Sequence, residues 1–364
     1  MLLSLVVHLQ SMRWMVPAAV MLGNSPQNSL ICIANSVLTF LLPEKYFIKS
    51  DDALYSLYQR FILFFFEHYT GTELILYGDA ADVLKKRENV IFLANHQSTV
   101  DWIVADMLAV RQGSLGSLRY VVKDGLKYFP FYGWRLQQHS TVFVKRGGGF
   151  NPGKMTKQLV SMKKNKVPMW LVIFPEGTRY NPANTQAISR SRAFSDMQGY
   201  PPLDYVLVPR HKATYLSIDA LRDYVDAVYD VTTAYSNTWD NEEDKRIEAP
   251  GMPDFLCGAS PEVHVHIKRI KLEEIPQEEQ DIKDWLQERY QEKDKLLQRF
   301  YKEDGKLGDD GTISKLPLYH TIPATLFNVL ITLPFYLRSE GRRDHLSMWI
   351  VGTIACAAWA GLRA

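Results

Sequence analysis

His96 and Asp101 are separated by four residues in the run FLANHQSTVDWIV, Phe92 to Val104. A polar cluster interrupts an apolar segment there, where a strand should hand over to a helix. Ser98 and Asp101 have the spacing of a helix capping box, with Asp in place of the usual Glu. Asp101 in the first turn also complements the positive end of the helix dipole. Capping explains Asp101 but leaves His96 without a role. A histidine leading into the helix can donate Nδ1–H to the Asp101 carboxylate and present its other nitrogen as a base. That is the base and orienter of a nucleophilic triad without a protein nucleophile. The plainer alternative is a histidine satisfied inside the core.

A second polar block follows an apolar strand at IFPEGTRYNP, Ile173 to Pro182. Glu176, Gly177, Thr178 and Arg179 put a carboxylate, a turn and a guanidinium at a strand's carboxyl end, where open α/β sheets bind ligands. The planar fork of Arg179 suits a phosphate, and an Arg–Glu ion pair capping a loop is the alternative. Lys123 and the Lys145–Arg146 pair recur beside other strand ends. Each alone reads as a solvated charge. The RGGG run lacks the Lys-Ser/Thr that would complete a phosphate-binding P-loop.

These residues need a scaffold, and the pattern between Tyr69 and Gly311 supplies one. Strands are expected at Glu73–Tyr77, Val90–Ala94, Arg119–Lys123, Thr141–Val144, Trp170–Phe174, Tyr205–Val208, Ala227–Thr233 and Val263–Ile270. Helices are expected at Thr99–Arg111, Pro152–Asn165, Ser189–Gln198, Tyr215–Val225 and, amphipathic, Asp281–Tyr301. Such alternation argues for an α/β sheet flanked by helices. His264 and His266 fall on one strand face, read as solvated rather than as a metal pair.

Composition sets the limits. The chain has 364 residues, 46% hydrophobic, with a net charge of +2, so neither a nucleic-acid partner nor an acidic one is implied. Its three cysteines are far apart and offer neither a zinc motif nor a disulfide framework. The ends are apolar. Trp14–Leu42, broken by GNSPQNS at Gly23–Ser29, reads as two short membrane-embedded helices around a turn or one imperfect span, with a cleaved signal peptide as the alternative. Phe61–Gly71 reads as an interfacial or core helix. Leu316–Leu337 and Ser347–Leu362 read as a membrane hairpin, with Arg338, Arg342 and Arg343 on the cytoplasmic side. Three regions follow: 1–68 as N-terminal membrane-embedded or interfacial helices, 69–311 as the α/β domain, and 312–364 as a transmembrane hairpin.

Four blocks in order resemble the 1-acylglycerol-3-phosphate acyltransferases, especially the epsilon type. They are Asn95-His96-x4-Asp101, Val142 to Arg146, Phe174 to Arg179, and Val208-Pro209-Arg210. The resemblance implies the glycerolipid acyltransferase mixed sheet, with membrane helices at both ends. It implies transfer of a fatty acyl group from acyl-CoA to the sn-2 hydroxyl of lysophosphatidic acid, giving phosphatidic acid in phospholipid biosynthesis. His96 and Asp101 would be catalytic. Asn95, Lys123, Arg146, Glu176, Gly177, Thr178, Arg179 and Pro209 would bind substrate. No metal and no cofactor beyond the acyl-CoA co-substrate is implied. The expected setting is the endoplasmic reticulum membrane, with the mitochondrial membrane second and the catalytic domain facing the cytosol. Glycerol 3-phosphate or another lysophospholipid is the alternative acceptor. A metal-dependent phosphohydrolase and a non-catalytic membrane scaffold are the rivals from other classes.

Overall fold

The computed structural model describes residues 10–145 and 149–362. Arg146 lies outside the described residues. Eight strands form one mixed sheet: β1 (Glu73–Gly78), β2 (Val90–Ala94), β3 (Leu118–Lys123), β4 (Val142–Val144), β5 (Trp170–Ile173), β6 (Ala227–Tyr235), β9 (Glu262–Ile270) and β10 (Thr312–Ser314). They run in the order β10-β1-β9-β6-β2-β5-β3-β4. A two-stranded ribbon pairs β7 (Trp239–Asp240) with β8 (Lys245–Arg246). From β6 through β2, β5 and β3 to β4 every pairing is parallel. The carboxyl ends of these strands therefore open toward one edge.

All of β2 is buried because helices cover both faces of the sheet. Val90 and Phe92 join one core with α2 (Glu44–Leu63) and α3 (Asp101–Gln112). Ile91 and Leu93 point into the other, against α5 (Pro152–Lys164), α7 (His211–Leu221) and α8 (Glu279–Arg299). The period-two alternation of a strand sends neighbouring residues to opposite cores. Phe61 and Phe66 are fully buried, so the aromatic run there is core.

Tyr205–Val208, expected as a strand, is irregular. Side chains satisfy its backbone instead of a ladder. Asp294 Oδ1 on α8 accepts from the N–H groups of Asp204, Tyr205 and Val206, Glu176 Oε2 from Leu207, and Ser191 Oγ from Val208. His264 is also not on a solvated face: it is buried and hydrogen-bonds Tyr77 Oη at 2.8 Å.

The expected membrane spans are corrected. Among the described residues no helix is long and apolar enough to cross a membrane. α9 (Ile322–Leu337) has 16 residues, about 24 Å of rise against a hydrocarbon core of about 30 Å. α10 (Ser339–Leu362) spends its first turns on Glu340, Arg342, Arg343 and Asp344. At the N-terminus α1 (Met15–Thr39) is one continuous helix through Pro26. Its polar stretch is buried against the C-terminal hairpin, where Asn24 Nδ2 donates to Asn328 O at 2.9 Å and Gln27 Nε2 meets His345 Nδ1 at 2.8 Å. GNSPQNS is thus a helix–helix contact face and not a turn.

A buried charge network fastens α2 to the sheet and to α4 (Tyr132–Gln138). His139 Nδ1 donates to Asp51 Oδ2 at 2.6 Å, and its Nε2 accepts from Arg119 Nη1 at 2.6 Å. Arg135 Nη1 donates to Asp51 Oδ1 at 2.7 Å. Burial, then the neighbouring Arg119 charge, push the His139 pKa down to about 3. Among the described residues Asp51, Asp52 and His139 form the only group of three with metal-ligand spacing. Their acceptors already face two guanidinium groups.

Candidate active site

His96 follows β2 and Asp101 opens α3, so a short loop turns the histidine back onto the helix start. His96 Nδ1 lies 2.7 Å from Asp101 Oδ2. The same oxygen accepts from Gln97 N at 2.7 Å and Ser98 N at 3.0 Å, while Tyr235 Oη donates to Oδ1 at 2.6 Å. Ser98 N to Asp101 is the return half of the expected capping box. The forward half differs: Ser98 Oγ accepts from Val100 N and donates to Pro250 O. With a carboxylate at Nδ1 the ring proton resides there, and Nε2 is left with its lone pair. The imidazole is about a quarter exposed (23%) and stacks on Phe174 at 4.6 Å.

Four backbone bonds stitch the polar blocks together. Glu176 Oε1 accepts from His96 N at 2.7 Å and Oε2 from Leu207 N at 3.0 Å. Tyr180 N donates to His96 O at 2.7 Å, and Arg210 N to Pro175 O at 2.8 Å. Glu176 thus holds the His96 loop instead of meeting Arg179. Its burial pushes its pKa up to about 8, against the lowering effect of those two N–H donors. Gly177 takes a left-handed turn at φ +69°, with the Arg210 side chain 3.4 Å from where a Cβ would stand. Any other residue there would be strained.

Asn95 faces away from the cavity wall. Its Nδ2 donates to Thr233 O and its Oδ1 accepts from Thr233 N, which clamps β2 to β6. A direct substrate contact is replaced by this structural one. His96, Lys123, Gly177, Thr178, Arg179 and Pro209 all line a single cavity of about 1550 Å³. That exceeds the roughly 300–1,000 Å³ of an ordinary small-molecule site. One wall is apolar and aromatic, with Met21, Tyr58, Ile62, Phe66 and Trp102; the other is cationic.

Sequence reading missed Tyr235 and Arg246. Tyr235 is fully buried, and burial and the Asp101 charge drive its hydroxyl pKa well up, so it stays a donor. Arg246, from β8, reaches Gln97 Oε1 and lies between the rings of Tyr180 and Tyr301 at 4.3 and 4.5 Å. Tyr235 is 134 residues along the chain from Asp101, and Arg246 is 149 from Gln97. No local spacing could reveal them.

The arrangement can activate a hydroxyl beside an apolar chain and an anion. Proteins of similar sequence are acyltransferases. Residues 79–214 match the family model for Acyltransferase and residues 254–331 that for Acyltransferase C-terminus. The chain is 42% identical over 369 residues to 1-acyl-sn-glycerol-3-phosphate acyltransferase epsilon of Mus musculus, covering 100% of both chains. It is 36% identical over 250 residues to the probable 1-acyl-sn-glycerol-3-phosphate acyltransferase 5 of Arabidopsis thaliana, covering 68% of this chain and 62% of that one. Among solved structures, the 1-acyl-sn-glycerophosphate (LPA) acyltransferase PlsC of Thermotoga maritima aligns with a TM-score of 0.43 and 16% identity, over 80% of this chain and 95% of that one. The chain belongs to the 1-acyl-sn-glycerol-3-phosphate acyltransferase family of glycerolipid acyltransferases.

Proposed function

We propose that the chain transfers a fatty acyl group from acyl-CoA to the sn-2 hydroxyl of 1-acyl-sn-glycerol 3-phosphate, giving phosphatidic acid in phospholipid biosynthesis. The observation that carries this reading is the His96–Asp101 pair, set between an apolar and a cationic wall of one cavity. His96 Nε2 takes the proton of the acceptor hydroxyl as its oxygen attacks the thioester carbonyl. Asp101 stabilises the imidazolium that forms. The tetrahedral oxyanion then collapses, the C–S bond breaks, and the proton passes from His96 to the departing thiolate. A positioned base is worth about 10²–10⁴ in rate. The N–H groups of Gln97, Ser98 and Gly177 are already bonded inside the fold. Thr178, next on the cavity wall, has its N–H free of any bond among the described residues, as do Thr99 and Arg179, and following the Gly177 turn directly it is taken as the oxyanion donor.

Arg179, with Lys123, takes the acceptor's phosphate; Arg146 joins them in the family pattern. Acyl-CoA is the co-substrate, and the mechanism calls for no further cofactor. Both substrates are amphiphiles, and the terminal helices leave Val37, Leu38, Phe40 and Leu41 between 70% and 90% exposed. This apolar patch rests on the cytosolic surface of the endoplasmic reticulum membrane, with the mitochondrial membrane a second setting. An acceptor panel with one acyl-CoA donor tests the reading. Lysophosphatidic acid should give at least about tenfold higher kcat/KM than glycerol 3-phosphate or head-grouped lysophospholipids, because each bulkier or missing group leaves site atoms unpaired. Equal rates on all acceptors would overturn the assignment.

A further inference from the structure

The cavity carries more positive charge than its acceptor needs. Its lining includes seven lysines and arginines and one carboxylate, Glu176, whose oxygens both accept backbone N–H groups. A phosphate monoester brings about −1.5 to −2. Lys123, Lys145 and Arg179, at the ends of β3, β4 and the β5 loop, already exceed that charge. Four cations remain, and all lie on the helical side: Arg190 on α6 (Thr185–Gln198), Arg210 and Lys212 at the start of α7, and Lys283 on α8. Among the described residues Arg190, Arg210 and Lys212 make no ion pair. Lys283 Nζ donates to Gln198 Oε1 at 2.6 Å and lies 5.6 Å from the Tyr200 ring centre.

The face of α6 points the same way. Ala187, Arg190, Ser191 and Phe194 all line the cavity, at the i, i+3, i+4, i+7 spacing of one helix face. A face that packs against a core is apolar along that stripe. This one offers a guanidinium and, one turn on, a Phe194 ring that is 41% exposed. Unpaired cations beside an open aromatic face fit a polyphosphorylated nucleotide: the phosphates take the charges and the base stacks on the ring. The nucleotide end of coenzyme A, an adenosine with a diphosphate and a 3′-phosphate, has that chemistry.

We propose that the α6–α7 face is the donor's nucleotide subsite, with Arg190 and Lys212 on the phosphates of coenzyme A and Phe194 against its adenine. The inference rests on acyl-CoA being the donor. It divides the cavity: the strand-end cations take the acceptor, the helical cations the donor, and the thioester lies between them at His96.

Steady-state kinetics with palmitoyl-CoA and with its 3′-dephospho analogue test this. In the unaltered chain, losing the 3′-phosphate should raise the donor KM about tenfold, the worth of one charge-assisted bond. In the Arg190→Ala/Lys212→Ala double variant, the two donors should differ by less than about twofold, with the lysophosphatidic acid KM unchanged. Calorimetric binding of free coenzyme A should weaken in parallel, a readout that needs no turnover. Phe194→Ala should weaken that binding while keeping the 3′-phosphate preference, and Phe194→Tyr should restore it. All these side chains are exposed, so an unchanged thermal midpoint confirms folding. A double variant that still prefers the 3′-phosphate, or whose acceptor KM rises instead, overturns the subsite. If the unaltered chain turns over palmitoyl-CoA with no 3′-phosphate preference, only the subsite fails. If it releases no thiol from any acyl-CoA, the proposed function fails and the subsite falls with it.

Discussion

Replacing Asp101 by Asn should cost far less than it would in a triad whose aspartate has a free oxygen. Three donors converge on Asp101 Oδ2: His96 Nδ1, Gln97 N and Ser98 N. An amide NH₂ cannot stand there without facing all three. The substituted side chain must therefore place its oxygen at that position and its NH₂ toward Tyr235 Oη, which can turn from donor to acceptor. The histidine keeps its proton on Nδ1 and its lone pair on Nε2. What is lost is the negative charge opposite the imidazolium. A bond to a charged group contributes about 1.5–3 kcal/mol and a neutral one about 0.5–1.5 kcal/mol. The difference of about 1–1.5 kcal/mol is close to tenfold in rate. Thiol release from palmitoyl-CoA with saturating lysophosphatidic acid gives kcat directly. A fall of about 5- to 13-fold is expected. Adding Tyr235→Phe strands the amide NH₂ and should deepen the loss by about another order of magnitude. A loss for Asp101→Asn as deep as that of His96→Ala would refute the converging-donor argument, since it would mean that the tautomer had been lost.

Other consequences follow from the same geometry. Arg179→Ala should raise the lysophosphatidic acid KM about 10- to 100-fold with a smaller change in the donor KM, read by initial rates. His139 is buried neutral with its pKa held down to about 3, so the unfolded chain binds more protons there than the folded one. Stability present above the unfolded value of about 6.5 is lost as pH falls from there toward about 3. Thermal midpoints against pH should show this fall, and His139→Phe should flatten it. Asn95→Ala should lower stability through the lost β2–β6 clamp, by about 1–3 kcal/mol, without a selective change in either KM; denaturant unfolding measures it. Leu38→Glu/Leu41→Glu should weaken flotation with phospholipid vesicles, because it sets charges into an exposed apolar patch.

How much could be read in advance depended on how local each cause was. β2 and β5 were legible because a strand covered on both faces is a continuous apolar run, as in VIFLA and WLVI. The polar blocks of His96 and Glu176 sit directly after those runs, so the candidate site was legible from position as well as residue type. Tyr205–Val208 misled because its apolar alternation is genuine, while the decisive acceptor, Asp294, lies on a helix 90 residues after Asp204. Tyr235 and Arg246 were hidden for the same reason. Glu176 lines the cavity and Asn95 lies beside His96 but off the cavity wall, and the polar atoms of both turn inward to backbone groups, a choice that spacing does not encode. The terminal apolar runs showed burial without showing what buries them. GNSPQNS resembled a break, yet its side chains find partners on the C-terminal hairpin.

The most direct test of the central claim is a time course of thiol release from palmitoyl-CoA with lysophosphatidic acid, comparing the unaltered chain with His96→Ala. In the proposed mechanism His96 is the base that activates the hydroxyl. The variant should therefore fold normally, keep its affinity for coenzyme A, and lose about 10²–10⁴ in rate. A folded His96→Ala protein that releases thiol and forms phosphatidic acid at the unaltered rate would contradict the account.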